Sequence, residues 1–255
     1  MYFLQQIKVS SSVTAIGSVV FYCTSLHCIK IASSVSTIGN ETYFSCKSLK
    51  EVNLTDGLQT IRNLAFQKCT SLQQIKIPLT NTKIGTCAFS SCTSLTEVNL
   101  RDGLQIIERG AFYECTSMQQ IKVTSSVTTI DVEAFWSCTS LKEVNLTVGL
   151  QSIKEKAYYQ CTLLLRINIP STVNSLVRNA FSDCGILRNV VIAPSSALMQ
   201  DVFMQSFPSM QNMGFFLKMF KGRFDELPLH NHCYVYQSQH HIGQSLDSIT
   251  WKWFN

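Results

Sequence analysis

Cys138 to Cys161 reads C-T-S-L-K-E-V-N-L-T-V-G-L-Q-S-I-K-E-K-A-Y-Y-Q-C. The same phrase, varied, fills most of the chain. Its cysteine returns every 23 residues, at Cys23, Cys46, Cys69, Cys92, Cys115, Cys138, Cys161 and Cys184. A fixed period in the twenties marks a solenoid, in which each repeat is one coil that buries its apolar side chains against its neighbours.

Each cysteine fixes a frame for its coil. Three residues on stands Leu, or Met at Met118; six on, Ile or Val; eight on, Ile, Leu or Val. The last two positions alternate with polar residues, as in Glu51-Val52-Asn53-Leu54. That alternation has period two and predicts a short strand with one face buried. Stacked coils then join these strands into a parallel sheet. After the strand the chain must turn. Thr55-Asp56-Gly57, Arg101-Asp102-Gly103 and Thr147-Val148-Gly149 place glycine where φ is expected to be positive. Pro78 and Pro170 sit just past the strand in other coils, where a missing N–H costs little. A second apolar pair follows, such as Val35 and Ile38, or Leu58 and Ile61, and predicts an extended or turn-like back wall. Next come Ala65-Phe66, Ala88-Phe89, Ala111-Phe112, Ala134-Phe135, Ala157-Tyr158 and Ala180-Phe181. Phe66, Cys69 and Leu72 are spaced by three and three, which predicts one helical or 3₁₀ turn with the ring filling the coil centre.

A single coil cannot fold. It buries about eight apolar side chains at roughly 1.5–3 kcal/mol for each large one. Ordering its backbone costs roughly 1–2 kcal/mol per residue, which is the larger sum. Contacts between neighbouring coils must supply the difference.

A longer beat overlies the short one. Leu49 to Leu58 returns as Leu95 to Leu104 and Leu141 to Leu150, every 46 residues. The coils between them carry Gln-Gln-Ile-Lys instead of Lys/Thr-Glu-Val-Asn, so two coil types alternate as if a pair had been duplicated. The first repeat is irregular: Phe21 stands two residues before Cys23, whereas Phe66 stands three before Cys69, which a one-residue deletion explains.

The chain has 255 residues, 45% apolar and 15% charged, a balance opposite to that of a disordered chain. The net charge of +5 is mild, and acidic residues interleave with basic ones along the repeats, so no nucleic-acid partner is demanded. No apolar run approaches the ~20 residues that span a bilayer, so no membrane insertion is expected. Met1-Tyr2-Phe3-Leu4 runs straight into repeat sequence, which predicts an intracellular protein or a start inside a longer gene. Of the eleven cysteines, eight share one column. In register they point the same way, not at each other, and a free cysteine packs as a small hydrophobe. We expect buried, reduced thiols and a reducing compartment.

Ser126-Val127-Thr128-Thr129-Ile130, Ala134-Phe135-x-x-Cys138-Thr-Ser-Leu141 and the following Val-x-Leu resemble the BspA-type leucine-rich repeat family. The resemblance recurs in every coil over residues 1–193. It implies a right-handed leucine-rich repeat solenoid, with the parallel sheet on one face, used in recognition and adhesion without catalysis.

The period breaks at Ala193-Pro194-Ser195-Ser196. Leu198, Met199, Val202 and Phe203, then Met213, Phe216, Leu217 and Phe220, have helical spacing after Pro194 and Pro208. Residues 194–255 are read as a mainly helical C-terminal cap and tail, with the cap over 194–224. No matching cap stands at the front, where Ile7, Val9, Val13, Ile16 and Phe21 would form an open end that continues upstream or self-associates.

The solvent side of the strand is the place to seek a ligand. Seven residues past each cysteine it carries Lys30, Asn53, Lys76, Asn99, Lys122 and Asn145; five past, Glu51, Gln74, Glu97, Gln120, Glu143 and Arg166. These twelve residues are the candidate binding surface for a protein partner of unknown identity. The plain alternative is a charge ladder, each lysine neutralised by a glutamate one coil away, worth only ~0–1 kcal/mol per pair. Few aromatics interrupt these columns, which argues against stacked bases.

No catalytic residue or cofactor is expected. The column cysteines have apolar neighbours and His27 is the only histidine in the repeats, so no thiolate–base pair forms. His230, His232, Cys233, His240 and His241 are a ligand-rich cluster, yet their spacing matches no closed zinc site. A metal-dependent activity of this tail is the remote alternative. Asn40-Glu-Thr42, Asn53-Leu-Thr55 and Asn145-Leu-Thr147 match the short glycosylation pattern, which matters only if the chain is secreted. The leading expectation is a non-catalytic intracellular recognition module; its rival is a cell-surface adhesin for protein or glycan, if an upstream leader exists.

Overall fold

A computed structural model describes residues 5–18, 23–177, 179–187 and 189–192. For 189–192, and for a further piece at 234–237, it describes the backbone alone. The first strands, numbered in chain order, are β1 (Gln6–Lys8), β2 (Ala15–Ile16), β3 (Cys28–Lys30), β4 (Thr37–Ile38), β5 (Glu51–Asn53) and β6 (Thr60–Ile61). Then come β7 (Gln74–Lys76), β8 (Lys83–Ile84), β9 (Glu97–Asn99), β10 (Ile106–Ile107), β11 (Gln120–Lys122) and β12 (Thr129–Ile130). The last are β13 (Glu143–Asn145), β14 (Ser152–Ile153), β15 (Arg166–Ile169), β16 (Ser175–Leu176), β17 (Asn189–Ile192) and β18 (Tyr234–Gln237).

Odd-numbered strands up to β17 form the front, even-numbered strands up to β16 the back. The back wall, expected to be extended or turn-like, is one eight-stranded parallel ladder. The front does not form one sheet. Its ladder is interrupted between β5 and β7 and between β9 and β11, leaving groups of three, two and five strands. Both interruptions fall where a Glu-Val-Asn strand is followed by a Gln-Ile-Lys strand. Within each group the register steps by one coil, as in Gln74↔Glu97 and Gln120↔Glu143.

The third side of each coil was expected to hold a helical or 3₁₀ turn. No helix occurs among the described residues. The spacing of three is instead a run of hydrogen-bonded turns: Gln67 N donates to Leu64 O, Cys69 N to Phe66 O and Leu72 N to Cys69 O, at 3.1–3.2 Å. Leu64 and Lys68 take φ of 61° and 60°, and the left-handed residues interrupt any helix. That shape turns alternate amides toward the next coil, so Leu64 N, Phe66 N and Lys68 N donate to Thr86 O, Ala88 O and Ser90 O. The third side is therefore stitched coil to coil as firmly as the sheets are.

The core is continuous from Ile16 to Leu187. Its axis is an aromatic stack of Tyr43, Phe66, Phe89, Phe112, Phe135, Tyr158 and Phe181, with centroids 5.1–5.6 Å apart. Alanine precedes each ring from Ala65 onward. In the earlier coil Thr42 takes its place, buried, its hydroxyl donating to Gly17 O and Gly39 O.

A second departure from the core pattern lies in another column. Position 81 belongs to the column of Val35, Leu58, Leu104, Val127, Leu150 and Val173, all fully buried. It is Asn81, also fully buried, and neither its Nδ2 nor its Oδ1 finds a partner.

The two coil types interlock at the corner after the front strand. Gly57, Gly103 and Gly149 have φ of 129°, 124° and 120°, as the turn reading required. A Cβ there would collide with Ser33 O, Leu79 O or Ser125 O of the preceding coil. Each glycine N–H donates to a hydroxyl of the following coil, Thr80, Ser126 or Thr172, at 2.9–3.1 Å. The glycine coil thus needs a hydroxyl coil after it, which explains the 46-residue beat.

The proposed deletion at Phe21 and the helical cap over 194–224 lie outside the described residues. Within the tail, the described piece is a strand: β18 runs antiparallel to β17.

Candidate functional site: the polar face of the front strands

Each front strand buries its central residue and turns its flanking residues to solvent. The pattern is exposed–buried–exposed in β5, β7, β9 and β11. Eleven of the twelve candidate residues are exposed: Lys30, Glu51, Asn53, Gln74, Lys76, Glu97, Asn99, Gln120, Lys122, Asn145 and Arg166. Glu143 is half-buried. Successive coils lie about 4.8 Å apart, so each column repeats at that interval and each charge type at about twice it.

The expected charge ladder does not form. The ion pairs among the described residues lie elsewhere: Lys83 to Glu108 at 2.8 Å, Arg109 to Glu133 at 3.1 Å, and Glu155 to Lys156 at 3.8 Å. A lysine and the nearest glutamate on the strand face differ by one coil and two residues, a diagonal of roughly 7–8 Å. Glu51 instead accepts a hydrogen bond from Asn53 Nδ2 at 2.8 Å within its own strand. Burial first, and the Glu51 carboxylate second, hold the neighbouring Cys28 thiol above its ordinary range.

The glycosylation-pattern residues are similarly placed. Asn53 and Asn145 are exposed on this face, while Thr55 and Thr147 hydroxyls donate to Ile31 O and Val123 O of the coil before. Thr42 of the third motif is buried and bonded twice.

The thiol column is structural. Cys69, Cys92, Cys115, Cys138, Cys161 and Cys184 each donate S–H to the carbonyl of the stacked aromatic in the coil before, at 3.2–3.3 Å. Burial pushes Cys92, Cys138 and Cys184 up to about 12, and Cys46 up to about 11. At neutral pH these are protonated, non-nucleophilic thiols. Ten cysteines are described and no disulfide joins them. The cluster of His230, His232, Cys233, His240 and His241 lies outside the described residues; among the described ones no group of ligands could hold a metal ion.

One half-buried feature escaped the sequence reading. Tyr113, Trp136 and Tyr159 stand next to the buried rings; Tyr113 stacks on Trp136 at 5.8 Å, and Tyr159 lies tilted against Trp136 at 4.3 Å. Lys156 Nζ lies 5.4 Å from the Trp136 centroid. The signal was available: these are the residues two before Cys115, Cys138 and Cys161, where neighbouring coils carry Gln67, Ser90 and Ser182. They line the third side, away from the strand face.

No described helix is long and apolar enough to cross a membrane. No curated protein matches the chain. The structure is similar to that of a leucine-rich repeat protein from T. pallidum, with a TM-score of 0.60 and 28% identity, covering 64% of this chain and 79% of that one. It shares its fold with a leucine-rich repeat protein from Eubacterium ventriosum, with a TM-score of 0.58 and 21% identity, covering 70% of this chain and 58% of that one. The family description "BspA type Leucine rich repeat region" matches in six copies, over residues 2–96 and 82–208. The in-register thiols, the ring stack and the corner glycines recur through that span, and the chain belongs to the BspA-type leucine-rich repeat family.

Proposed function

We propose that this chain is a non-catalytic recognition module that holds a protein partner on the polar face of its front strands. The supporting observation is the state of the twelve side chains there. Among them, only Glu51 and Asn53 make a side-chain hydrogen bond, and none joins an ion pair among the described residues. Apart from that one bond, their polar groups meet water now and can exchange it for a partner's groups without first breaking internal bonds. The scaffold beneath is rigid, because every inward neighbour is a core residue, so little ordering cost opposes binding. The repeated Glu and Lys columns suit a partner with complementary charges at the same interval; like-charged partners are disfavoured. Replacing Glu51, Glu97 and Glu143 together by lysine tests this. We expect loss of partner capture with an unchanged melting temperature; undiminished affinity would place the site elsewhere.

The surface-adhesin alternative uses the same face and differs in compartment. Reading the transcript upstream of Met1 separates the two, since a cleavable leader would require the adhesin.

A further inference from the structure

The last two described coils depart from the others along one edge. Two residues past the cysteine, six earlier coils carry serine, from Ser25 to Ser140. The next two carry Leu163 and Ile186, 42% and 37% exposed. Four residues past the cysteine, positions held by His27, Lys50, Gln73, Thr96, Gln119 and Lys142 give way to Leu165, 38% exposed. Single exposed leucines are ordinary. Three large apolar residues on adjacent coils, at positions that are otherwise polar, form a patch that wants a cover.

β18 shows what lies within reach. It pairs antiparallel with β17, with Gln237 opposite Asn189. Asn189 is in turn opposite Arg166 of β15. Gln237 therefore stands level with Arg166, the neighbour of Leu165, two strand spacings or about 10 Å away. Residues 238–255 remain, and so many residues can extend up to roughly 60 Å, so reach is not limiting. They include Ile242, Leu246, Ile249, Trp251, Trp253 and Phe254.

We propose that residues 238–255 of this chain dock on the patch formed by Leu163, Leu165 and Ile186, using the β17–β18 pairing as their anchor. The change from serine to leucine and isoleucine marks where the tail lands. It also assigns the two tail tryptophans a task, as the largest apolar groups available to cover three aliphatic ones.

The 255-residue chain carrying Trp136→Phe keeps two tryptophans, Trp251 and Trp253. We expect blue-shifted, quencher-protected emission from dilute monomer. Leu163→Ser, Leu165→Lys and Ile186→Ser together install residue types that other coils already carry there, and should abolish the shift while the circular dichroism stays unchanged. As a reciprocal measurement, Trp251→Ser with Trp253→Ser should speed amide exchange at 163–165 and 186–187. Solvent-exposed tail tryptophans in the parent overturn the proposal, as does emission that the triple variant leaves unaltered. Protection that appears only at concentrations where sedimentation shows a dimer also overturns it, because a second copy would then be the cover.

Discussion

Asn81 is a core position where the chain works against its own repeat, so replacing it should stabilise the solenoid. Its column alternates with the coil type: Val35, Val127 and Val173 in the coils like its own, Leu58, Leu104 and Leu150 in the others. Valine is therefore the residue the geometry asks for. A buried amide with neither atom partnered costs about 1–3 kcal/mol in desolvation. Asn81→Val removes that cost at similar volume, and we expect a gain of about 2 kcal/mol. For a chain of this size that raises the melting temperature by roughly 4–8 °C. Asn81→Leu removes the same cost but sets three leucines in succession, and overpacking of about 1–3 kcal/mol offsets the gain. The expected order of urea midpoints is Val above Leu, with Leu near the parent. Both tryptophan emission and far-ultraviolet circular dichroism should be followed, because repeat arrays can unfold in stages. If Asn81→Val lowers the midpoint at unchanged slope, the amide is satisfied in solution, most simply by a buried water, and the reasoning fails.

Four further outcomes are expected. Tyr158→Phe removes a buried hydroxyl that has no partner and should leave stability unchanged or raise it by about 1 kcal/mol, measured by thermal melting; a clear loss would show the hydroxyl is bonded. Gly57→Ala forces a Cβ against Ser33 O at a φ of 129° and should cost at least about 2 kcal/mol, while Gly185→Ala, with nothing within 4 Å, should be neutral within about 0.5 kcal/mol. The six thiols Cys69, Cys92, Cys115, Cys138, Cys161 and Cys184 are all raised by burial above the usual value of 9.0, so the unfolded chain loses their protons first. Their contribution is whole below pH 9 and is lost as pH rises above it. All six act in the same sense, so an alkaline titration followed by circular dichroism should show unfolding above pH 9; a fold intact at pH 12 would contradict it. Thiol reagent at neutral pH should label the half-buried Cys23, Cys28 and Cys87 and spare the buried thiols from Cys69 to Cys184, whereas labelling of those six would mean the coils open readily.

How much of this was legible depends on whether a residue faces its own copies. The inward columns stack on themselves, so one coil states the rule and the next repeats it: Phe66 on Phe89, Ile75 beside Val98, Cys92 beneath Cys115. Period and polarity were enough to place them. The third side was misread because the spacing of Phe66, Cys69 and Leu72 is common to a helical turn and to successive hydrogen-bonded turns, and only φ separates the two. Leu64 and Lys68 take left-handed φ without being glycine, so no residue type announced it. Asn81 was passed over because the column was read from its conforming members. The corner was half-read: glycine predicted positive φ at 57, 103 and 149, but its dependence on Thr80, Ser126 and Thr172 spans two coils, and no local rule links residues 23 apart. The strand face behaves otherwise again. Alternation alone anticipated the exposure of eleven of its twelve residues, yet not their pairing, because Glu51 had Asn53 in its own strand as a nearer partner than any lysine one coil away. Alternation says which way a side chain points; what it meets there is set by two-dimensional distances across the sheet. On this face those distances keep Lys30, Lys76 and Lys122 out of ion pairs, and that is the physical ground for expecting a partner there.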